Sequence, residues 1–300
     1  MNTDLVPQSL DEKARRVYWT QQMDEAYAFM QAIRSYPVNE CGEKCICMRD
    51  VAASEEIEVS FAEGPQVNGL PRLFYLREGL IGAFIAAAWE MNEYGWIMRI
   101  EDAFRTREMQ RGNTLSERVF DVVLRKCVWE CGDRIPSADL LFRRLSALIA
   151  NCPKVGTHMS GTAMDISVLD RDTGGEIDRG GPYLELSELT PMHSPFVSAA
   201  AHVNRRAIGD LMARHGFLAY PWEFWHYNQG DAYAEYLQQT GNTARYGAVN
   251  LDEEDGAVDP IRRPTRLLNT RETIERALRA AIERQPTTCI ARRKLRGGER

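Results

Sequence analysis

The chain has 300 residues, of which 44% are hydrophobic and 27% charged, with a net charge of −6 and a pI near 5.6. This length is ample for a sizeable core, and the acidic balance argues against a nucleic-acid-binding protein, which would usually carry a basic excess. No run reaches the roughly 18 consecutive apolar residues of a membrane span. The first twenty residues also lack the apolar core of a secretory signal, so we expect a cytoplasmic protein without a membrane partner.

Seven cysteines, an odd number, are spread along the chain, and three crowd into "CGEKCIC" (Cys41, Cys45 and Cys47). A disulfide framework is not expected in a long chain of this kind. Zinc sites usually combine two closely spaced ligand pairs, and this segment lacks the second pair. We therefore interpret the cysteines, including Cys289, as reduced structural thiols.

Helical periodicity and capping signals predict six helices. They fall at about 10–35, 76–94, 114–130, 138–150, 198–215 and 270–284. Short apolar runs predict strands at "WIMRI" (96–100) and "DISVLD" (165–170), and "RDTGGE" after the second reads as the turn of a hairpin. The aromatic segment "FLAYPWEFWHYN" (217–228) is also strand-like.

Helices and strands alternate without a regular βαβ pattern, which favours an α+β fold over a doubly wound sheet. We expect an N-terminal helical extension (1–44), a main domain (45–237), and a linker with a C-terminal helical extension (238–300). The stretch "NLDEEDGAVDPIRRP" (250–264) is interpreted as the linker. The last helix could dock on its own domain or on a second copy, which leaves a homo-oligomer open.

Two short motifs carry the residues best suited to chemistry. "THMSGTAMDIS" (157–167) places His158 seven residues before Asp165, and "EFWH" places Glu223 three residues before His226. One histidine near one aspartate is more often structural, but the second motif favours a metal site. A catalytic zinc takes three protein ligands and leaves one position open, and His158, Asp165 and His226 make such a set. Glu223 would then be free to act as a general base.

Two further features can be interpreted in two ways. Arg105 follows the predicted "WIMRI" strand and could stabilise an oxyanion, or it could form a surface ion pair. The aromatic residues around Glu223, including Trp225, are either core residues or the walls of a dry pocket, in which electrostatic interactions act more strongly.

These motifs resemble those of the zinc-dependent D-alanyl-D-alanine dipeptidases (VanX-like metallopeptidases) and the related D,D-carboxypeptidases. That family has a Ser-x-His-x-x-Gly-x-Ala-x-Asp run followed by Glu-Trp-Trp-His. Here "GTHMSGTAMD" and "EFWH" match it, "IEDAFRTREMQ" resembles the segment with the catalytic arginine, and "DRDTGGEIDRGGPY" resembles the loop after the metal-binding aspartate. The resemblance covers roughly residues 45–236.

The resemblance implies a small central antiparallel sheet flanked by helices, with extra helical segments at both ends. It implies one Zn²⁺ bound by His158, Asp165 and His226, with Glu223 as the base and Arg105 steadying the transition state. The implied substrate is a small dipeptide, with D-Ala-D-Ala or a related D-amino-acid dipeptide as the first expectation. The implied substrate-binding residues are Gly156, Thr157 and Trp225.

The sequence departs from the family at the substrate rim more than at the metal. Gly156 stands where the family has serine, Thr106 replaces a proline, and Leu184 stands where an acid is usual. Two other functions stay open: a non-haem iron enzyme, which uses the same two-histidine-one-carboxylate set, and a peptide-binding relative without catalysis.

Overall fold

The computed structural model describes residues 8–66 and 68–284, and these residues contain nine α-helices and nine β-strands. The helices are α1 (Gln8–Ser35), α2 (Met48–Ser54), α3 (Ile81–Glu93), α4 (Arg107–Leu115), α5 (Glu117–Glu130), α6 (Ala138–Leu148), α7 (Ala199–Arg214), α8 (Ala232–Gln238) and α9 (Arg271–Arg284). The strands are β1 (Cys45–Cys47), β2 (Val59–Phe61), β3 (Tyr75–Arg77), β4 (Trp96–Asp102), β5 (Ala163–Asp170), β6 (Leu218–Ala219), β7 (His226–Asn228), β8 (Val249–Leu251) and β9 (Val258–Pro260). Cys289 lies outside the described residues.

The central sheet has five strands in the order β2-β4-β5-β7-β6. All neighbours are antiparallel except β2 and β4, which run parallel. The α+β class is therefore confirmed, but the expected all-antiparallel sheet is a mixed one. A parallel pair needs a long crossover connection, and α3 lies in the connection between β2 and β4. β2 escaped prediction because it is only three residues long and lies next to a stretch rich in proline and glycine.

The two faces of the sheet pack against different helices. Along β5, Met164, Ile166 and Val168 face a hydrophobic cluster shared with α3 and α7. The alternate residues, including Asp165 and Ser167, point to the opposite face, as the two-residue period of a strand requires. This second face receives the polar side chains of the site described below.

A second hydrophobic cluster joins four helices, α1, α5, α6 and α9, to the aromatic segment before β7. Trp19 and Met23 of α1 are fully buried in it, and Ile274 and Leu278 of α9 join them. Both predicted terminal helices therefore pack on the central part of the chain. The proposed boundaries of the three-part division stay a prediction.

Three sequence expectations differ locally from the structure. The helix predicted at 76–94 begins later, because residues 75–77 form β3 and pair with β1. The predicted 114–130 helix is preceded by a separate helix, α4, and the cap of α5 is Ser116, whose hydroxyl accepts from the Val119 N–H. The supposed linker contains the β8–β9 hairpin, and the Cys45 N–H donates to the carbonyl of Gly256 beside it.

The hairpin predicted after β5 forms its turn but no full return strand. The N–H of Asp170 donates to Gly175, and residue 176 pairs with residue 169 as an isolated bridge. Over residues 8–66 and 68–284, no helix has both the length and the apolar character needed to cross a bilayer.

Candidate metal centre

Two aspartates and one histidine of the site lie in one row across the sheet. In β4 and β5, Asp102 lies opposite Asp165, and in β5 and β7, Asp165 lies opposite His226. Directly paired residues place their side chains on the same face, about 5 Å apart. The register shifts between residues 100 and 102 of β4, so the irregularity in β4 falls directly at this row.

His158 reaches the same place from a short 3-10 turn, Thr157–Ser160, just before β5. The turn ends at Gly161, whose φ of +69° lies in the left-handed region that favours glycine. A Cβ at Gly161 would also come within 2.9 Å of the Cys45 sulfur. The glycine noted in the sequence motif therefore serves both the turn and close packing.

The three predicted metal ligands converge on one point. Oδ1 of Asp165 lies 2.9 Å from Nδ1 of His226 and 3.3 Å from Nε2 of His158. One donor atom from each residue falls within 4.8 Å of the others, and all three residues are buried. Two imidazoles and one carboxylate on three sides of a buried point are a donor set that fits a divalent metal ion.

Hydrogen bonds on the far side of each ring aim the ligand atoms. Nδ1 of His158 lies 2.5 Å from the carbonyl oxygen of Ala103, which can only accept, so Nε2 carries the lone pair that faces Asp165. Nε2 of His226 lies 2.9 Å from the hydroxyl of Thr157, which leaves Nδ1 for the same role. Such outer partners fix the tautomer and orientation of metal-binding histidines.

The electrostatics of the ligands also suit a cation. Burial lowers the pKa of His226, which keeps its imidazole neutral and able to coordinate. Burial by itself would raise the pKa of Asp165, but its contacts with His158 and His226 outweigh burial and hold that pKa well below its usual range. The carboxylate is therefore ionised.

The outer oxygen of Asp165 is held by two other side chains. Oδ2 accepts from Nη2 of Arg105 and from the hydroxyl of Tyr183, each at 3.1 Å. Arg105 is itself fixed by Oδ2 of Asp102 at 2.8 Å and by Oε1 of Gln110 at 3.3 Å. Arg105 is therefore buried and bonded to Asp165, and it also lines the cleft. The alternative of an ion pair at the surface does not describe this position.

Glu223 lies in the turn between β6 and β7 and lines a cleft of about 30 Å³ together with Arg105, His158 and His226. Its turn is held by hydrogen bonds from the Glu223 N–H to Tyr220 and from the His226 N–H to Glu223. Burial raises the pKa of Glu223 well above its ordinary value, and the negative charge of Asp165 raises it further, while Arg105 opposes the shift. A carboxyl with a raised pKa is suited to exchange protons near neutral pH.

The three predicted substrate-binding residues have different positions. Gly156 and Thr157 line the cleft. A Cβ at Gly156 would meet Met159 at 3.4 Å, an ordinary contact, so the backbone there has room for the serine of the family pattern. Trp225 is only 1% exposed and packs in the hydrophobic cluster against Tyr183 and Phe224. Trp225 therefore has a packing role in this structure, and its expected contact with substrate stays a prediction.

Several residues of the site were not anticipated from the sequence. Asp102 stands three residues before Arg105 in the segment "IEDAFRTREMQ". This short spacing could have predicted the ion pair between them. Tyr183 lies in the loop that resembled the family, but its hydroxyl contact with Asp165 could be seen only in three dimensions. Met30, from α1, lines the cleft although its helix has no counterpart in the resemblance.

The peptidase M15 family model, described as D-ala-D-ala dipeptidase, matches residues 145–245. The similarity to this family is confined to residues 145–245. This stretch is about a third of the chain and contains His158, Asp165, Glu223 and His226. Arg105 lies outside this stretch. The family model therefore matches a shorter part of the chain than the resemblance predicted over residues 45–236.

Curated relatives agree with this family. The chain is 33% identical over 88 residues to the D-alanyl-D-alanine dipeptidase of Synechocystis, a match that covers 25% of this chain and 34% of the relative. The enzymes of the same name from Escherichia coli (33% over 70 residues, 23% of this chain and 36% of the relative) and Enterococcus faecium (31% over 71 residues, 24% and 35%) also match. The matched stretch spans only about a third of each relative.

A solved structure of the LdcB LD-carboxypeptidase aligns with 71% of this chain and 81% of its own, at 16% identity and a TM-score of 0.35. A TM-score this low supports no detailed comparison.

Proposed function

We propose that this chain is a zinc-dependent peptidase that hydrolyses a small dipeptide, with D-Ala-D-Ala or a related D-amino-acid dipeptide as the first substrate to test. One observation carries the proposal: His158, Asp165 and His226 converge beside Glu223 and Arg105 within a stretch of the peptidase M15 family. The names of the three curated relatives supply the substrate.

A bound zinc ion would supply a Lewis acid that polarises the scissile carbonyl and acidifies a water molecule. The ring nitrogens Nε2 of His158 and Nδ1 of His226, with Oδ1 of Asp165, would hold it. Glu223 would take up the proton of the attacking water and later deliver it to the leaving amine, a task that its raised pKa suits. Arg105 keeps Asp165 in place and contributes positive charge at the cleft, where an oxyanion would develop.

The cleft sets a limit on the substrate. Its volume of about 30 Å³ is close to the share of one water molecule in the liquid. A dipeptide is larger, so wall side chains such as Met30 and Tyr233 must move for it to enter.

The proposal is tested by metal analysis of the purified chain and by a hydrolysis panel of D,D-, L,D- and L,L-dipeptides. We expect one zinc per chain and preference for a D,D-dipeptide. Iron with substrate-dependent oxygen consumption would instead support the non-haem iron alternative. Bound zinc with no hydrolysis of any panel member would support a binding protein.

The Glu223→Gln variant tests the base directly. It should keep its zinc, because Glu223 is not a ligand, and lose about 10²–10⁴-fold in kcat, the usual cost of a missing general base. Glu63→Gln is the matched control, since Glu63 is exposed and does not line the cleft. A Glu223→Gln enzyme with wild-type kcat and full zinc would contradict the mechanism.

A further inference from the structure

A surface cavity of about 610 Å³ is lined by five exposed arginines. Two of its arginines, Arg107 and Arg111, are one turn apart on α4, the helix whose Gln110 faces the cleft. The other three, Arg262, Arg263 and Arg266, come from the segment between β9 and α9. None of the described residues that line this arginine cavity is acidic.

These five arginines differ from most arginines that the structure describes. Arg77, Arg105 and Arg144, for example, make salt bridges with carboxylates. Within residues 8–66 and 68–284, no side-chain hydrogen bond or salt bridge satisfies any of the five guanidinium groups of the cavity. The whole chain carries 43 acidic against 37 basic residues, so carboxylates are plentiful elsewhere. Like charges gathered without counter-charges repel one another, and an anion in the cavity would relieve that repulsion.

The walls of the arginine cavity are fixed to each other by hydrogen bonds. The N–H of Leu268 donates to the carbonyl of Asn151 at 2.8 Å, and the N–H of Asn269 donates to Oδ1 of Asn151 at 2.9 Å. Nδ2 of Asn269 donates to the carbonyl of Arg111 at 3.2 Å, which joins the two arginine-bearing walls. A site whose walls are held in advance loses less entropy on binding.

The first turn of α9 adds to the positive character of the cavity. Thr270 and Thr273 line it, and α9 is 14 residues long. The N-terminal end of a helix carries a partial positive charge and favours anions. Helix α9 therefore contributes in the same sense as the five arginines.

We propose that the arginine cavity binds a small molecule that carries a di- or triphosphate group. The planar guanidinium fork matches phosphate oxygens in pairs, and five such groups offer more charge than a single carboxylate would use. The cavity volume lies within the usual range of about 300–1,000 Å³ for small-molecule sites. This inference does not depend on the proposed peptidase activity.

The test is calorimetric titration of the full-length, metal-loaded chain with pyrophosphate and with ATP. We expect one ligand per chain and weaker binding at higher salt. The double variant Arg262→Ser/Arg266→Ser should lower the affinity by about tenfold or more, since charge-assisted hydrogen bonds are lost. Arg111→Ser, on the opposite wall, should also weaken binding.

The control variant is Arg118→Ser/Arg125→Ser, which removes the same charge from two exposed positions of α5 and should bind like wild type. The proposal is overturned if neither pyrophosphate nor ATP binds at millimolar concentration. It is also overturned if binding survives in both cavity variants, which would place the ligand outside the arginine cavity. Equal affinity for citrate, or a tenfold preference for a single-stranded oligonucleotide, would each replace the phosphorylated small molecule with another ligand class.

Discussion

At the scale of single residues, the site depends on a division of labour between the two oxygens of Asp165. Oδ1 faces the two histidine rings, while Oδ2 is occupied by Arg105 and Tyr183. A carboxylate held by one oxygen has little freedom to rotate, so the other oxygen would be presented to the proposed metal ion in one direction. The residues that hold Oδ2 should therefore control metal affinity without being ligands.

Tyr183→Phe tests this control. Removing the hydroxyl should weaken zinc binding by about 10–100-fold, the range found for partners behind metal ligands, while the half-buried ring keeps its contact with Trp225. Affinity is measured by competition with a chromogenic chelator. Tyr227→Phe is the matched control, because Tyr227 is also fully buried and its hydroxyl has no hydrogen-bond partner among the described residues. Equal zinc affinities for the two variants would contradict the role given to Tyr183.

At the scale of elements, prediction worked where local signals were strong. The strand carrying Asp165 and the helix at 198–215 were predicted because their local sequence patterns agree with their tertiary context, and Ser198 caps α7. The convergence of His158, Asp165 and His226 was predicted from two short motifs. The parallel strand β2 and the β8–β9 hairpin were missed because strands of three residues show almost no periodicity and depend on partners distant in sequence. Tyr183 and Met30 were missed because their positions at the site also depend on partners that are distant in the sequence.

Helix α1 is the element whose role changes most when the structure is known. The sequence suggested an extension, but Met30 of α1 forms part of the cleft wall, and Phe29 beside it packs on Tyr220, Trp222 and Tyr233. If the proposed function is correct, this helix limits the size of the substrate.

Met30→Ala tests whether α1 selects the substrate. The change should raise kcat/KM for a dipeptide with a bulkier C-terminal side chain, relative to D-Ala-D-Ala, by about tenfold, since space for a few methylenes changes discrimination by that order. Met23→Ala is the control on the same helix, because Met23 is fully buried in the second hydrophobic cluster and does not line the cleft. Both variants should lose about 2–5 kcal/mol of stability, but only Met30→Ala should change the substrate ratio. An unchanged ratio would show that α1 is merely packed beside the cleft.

At the scale of the whole molecule, the N-terminal helix is tied to the rest by buried and half-buried charges. Glu188, in the loop before α7, accepts from Arg15 of α1 at 3.0 Å and contacts Lys126 of α5. Arg144 of α6, which is almost fully buried, joins Asp24 of α1 and Glu130 of α5. Breaking one partner of such a cluster leaves a charge without compensation in a poorly solvated place. Docking of α1, and with it the cleft wall at Met30, should therefore depend on pH.

Glu188 provides the pH test. Burial by itself would raise its pKa, but the hydrogen bonds from Lys126 and Arg15 outweigh burial and lower that pKa below its ordinary value. A carboxyl with a lowered folded-state pKa stabilises the fold at pH values above its unfolded pKa of about 4.3, and this contribution disappears as the pH falls through the folded value. Glu188→Gln should therefore lower Tm clearly at pH 7, and the difference from wild type should shrink as the pH approaches 4 and below.

Glu12→Gln serves as the comparison, because Glu12 pairs with Arg16 on the exposed side of α1, where such pairs contribute only about 0–1 kcal/mol. Its Tm should stay near that of wild type at every pH. A Glu188→Gln deficit that is independent of pH would mean that the side chain acts by packing alone. A second result would link the charges that dock α1 to the shape of the cleft. The Tm deficit of Glu188→Gln would shrink with acid, and the wild-type enzyme at low pH would show the same change in dipeptide selectivity as Met30→Ala.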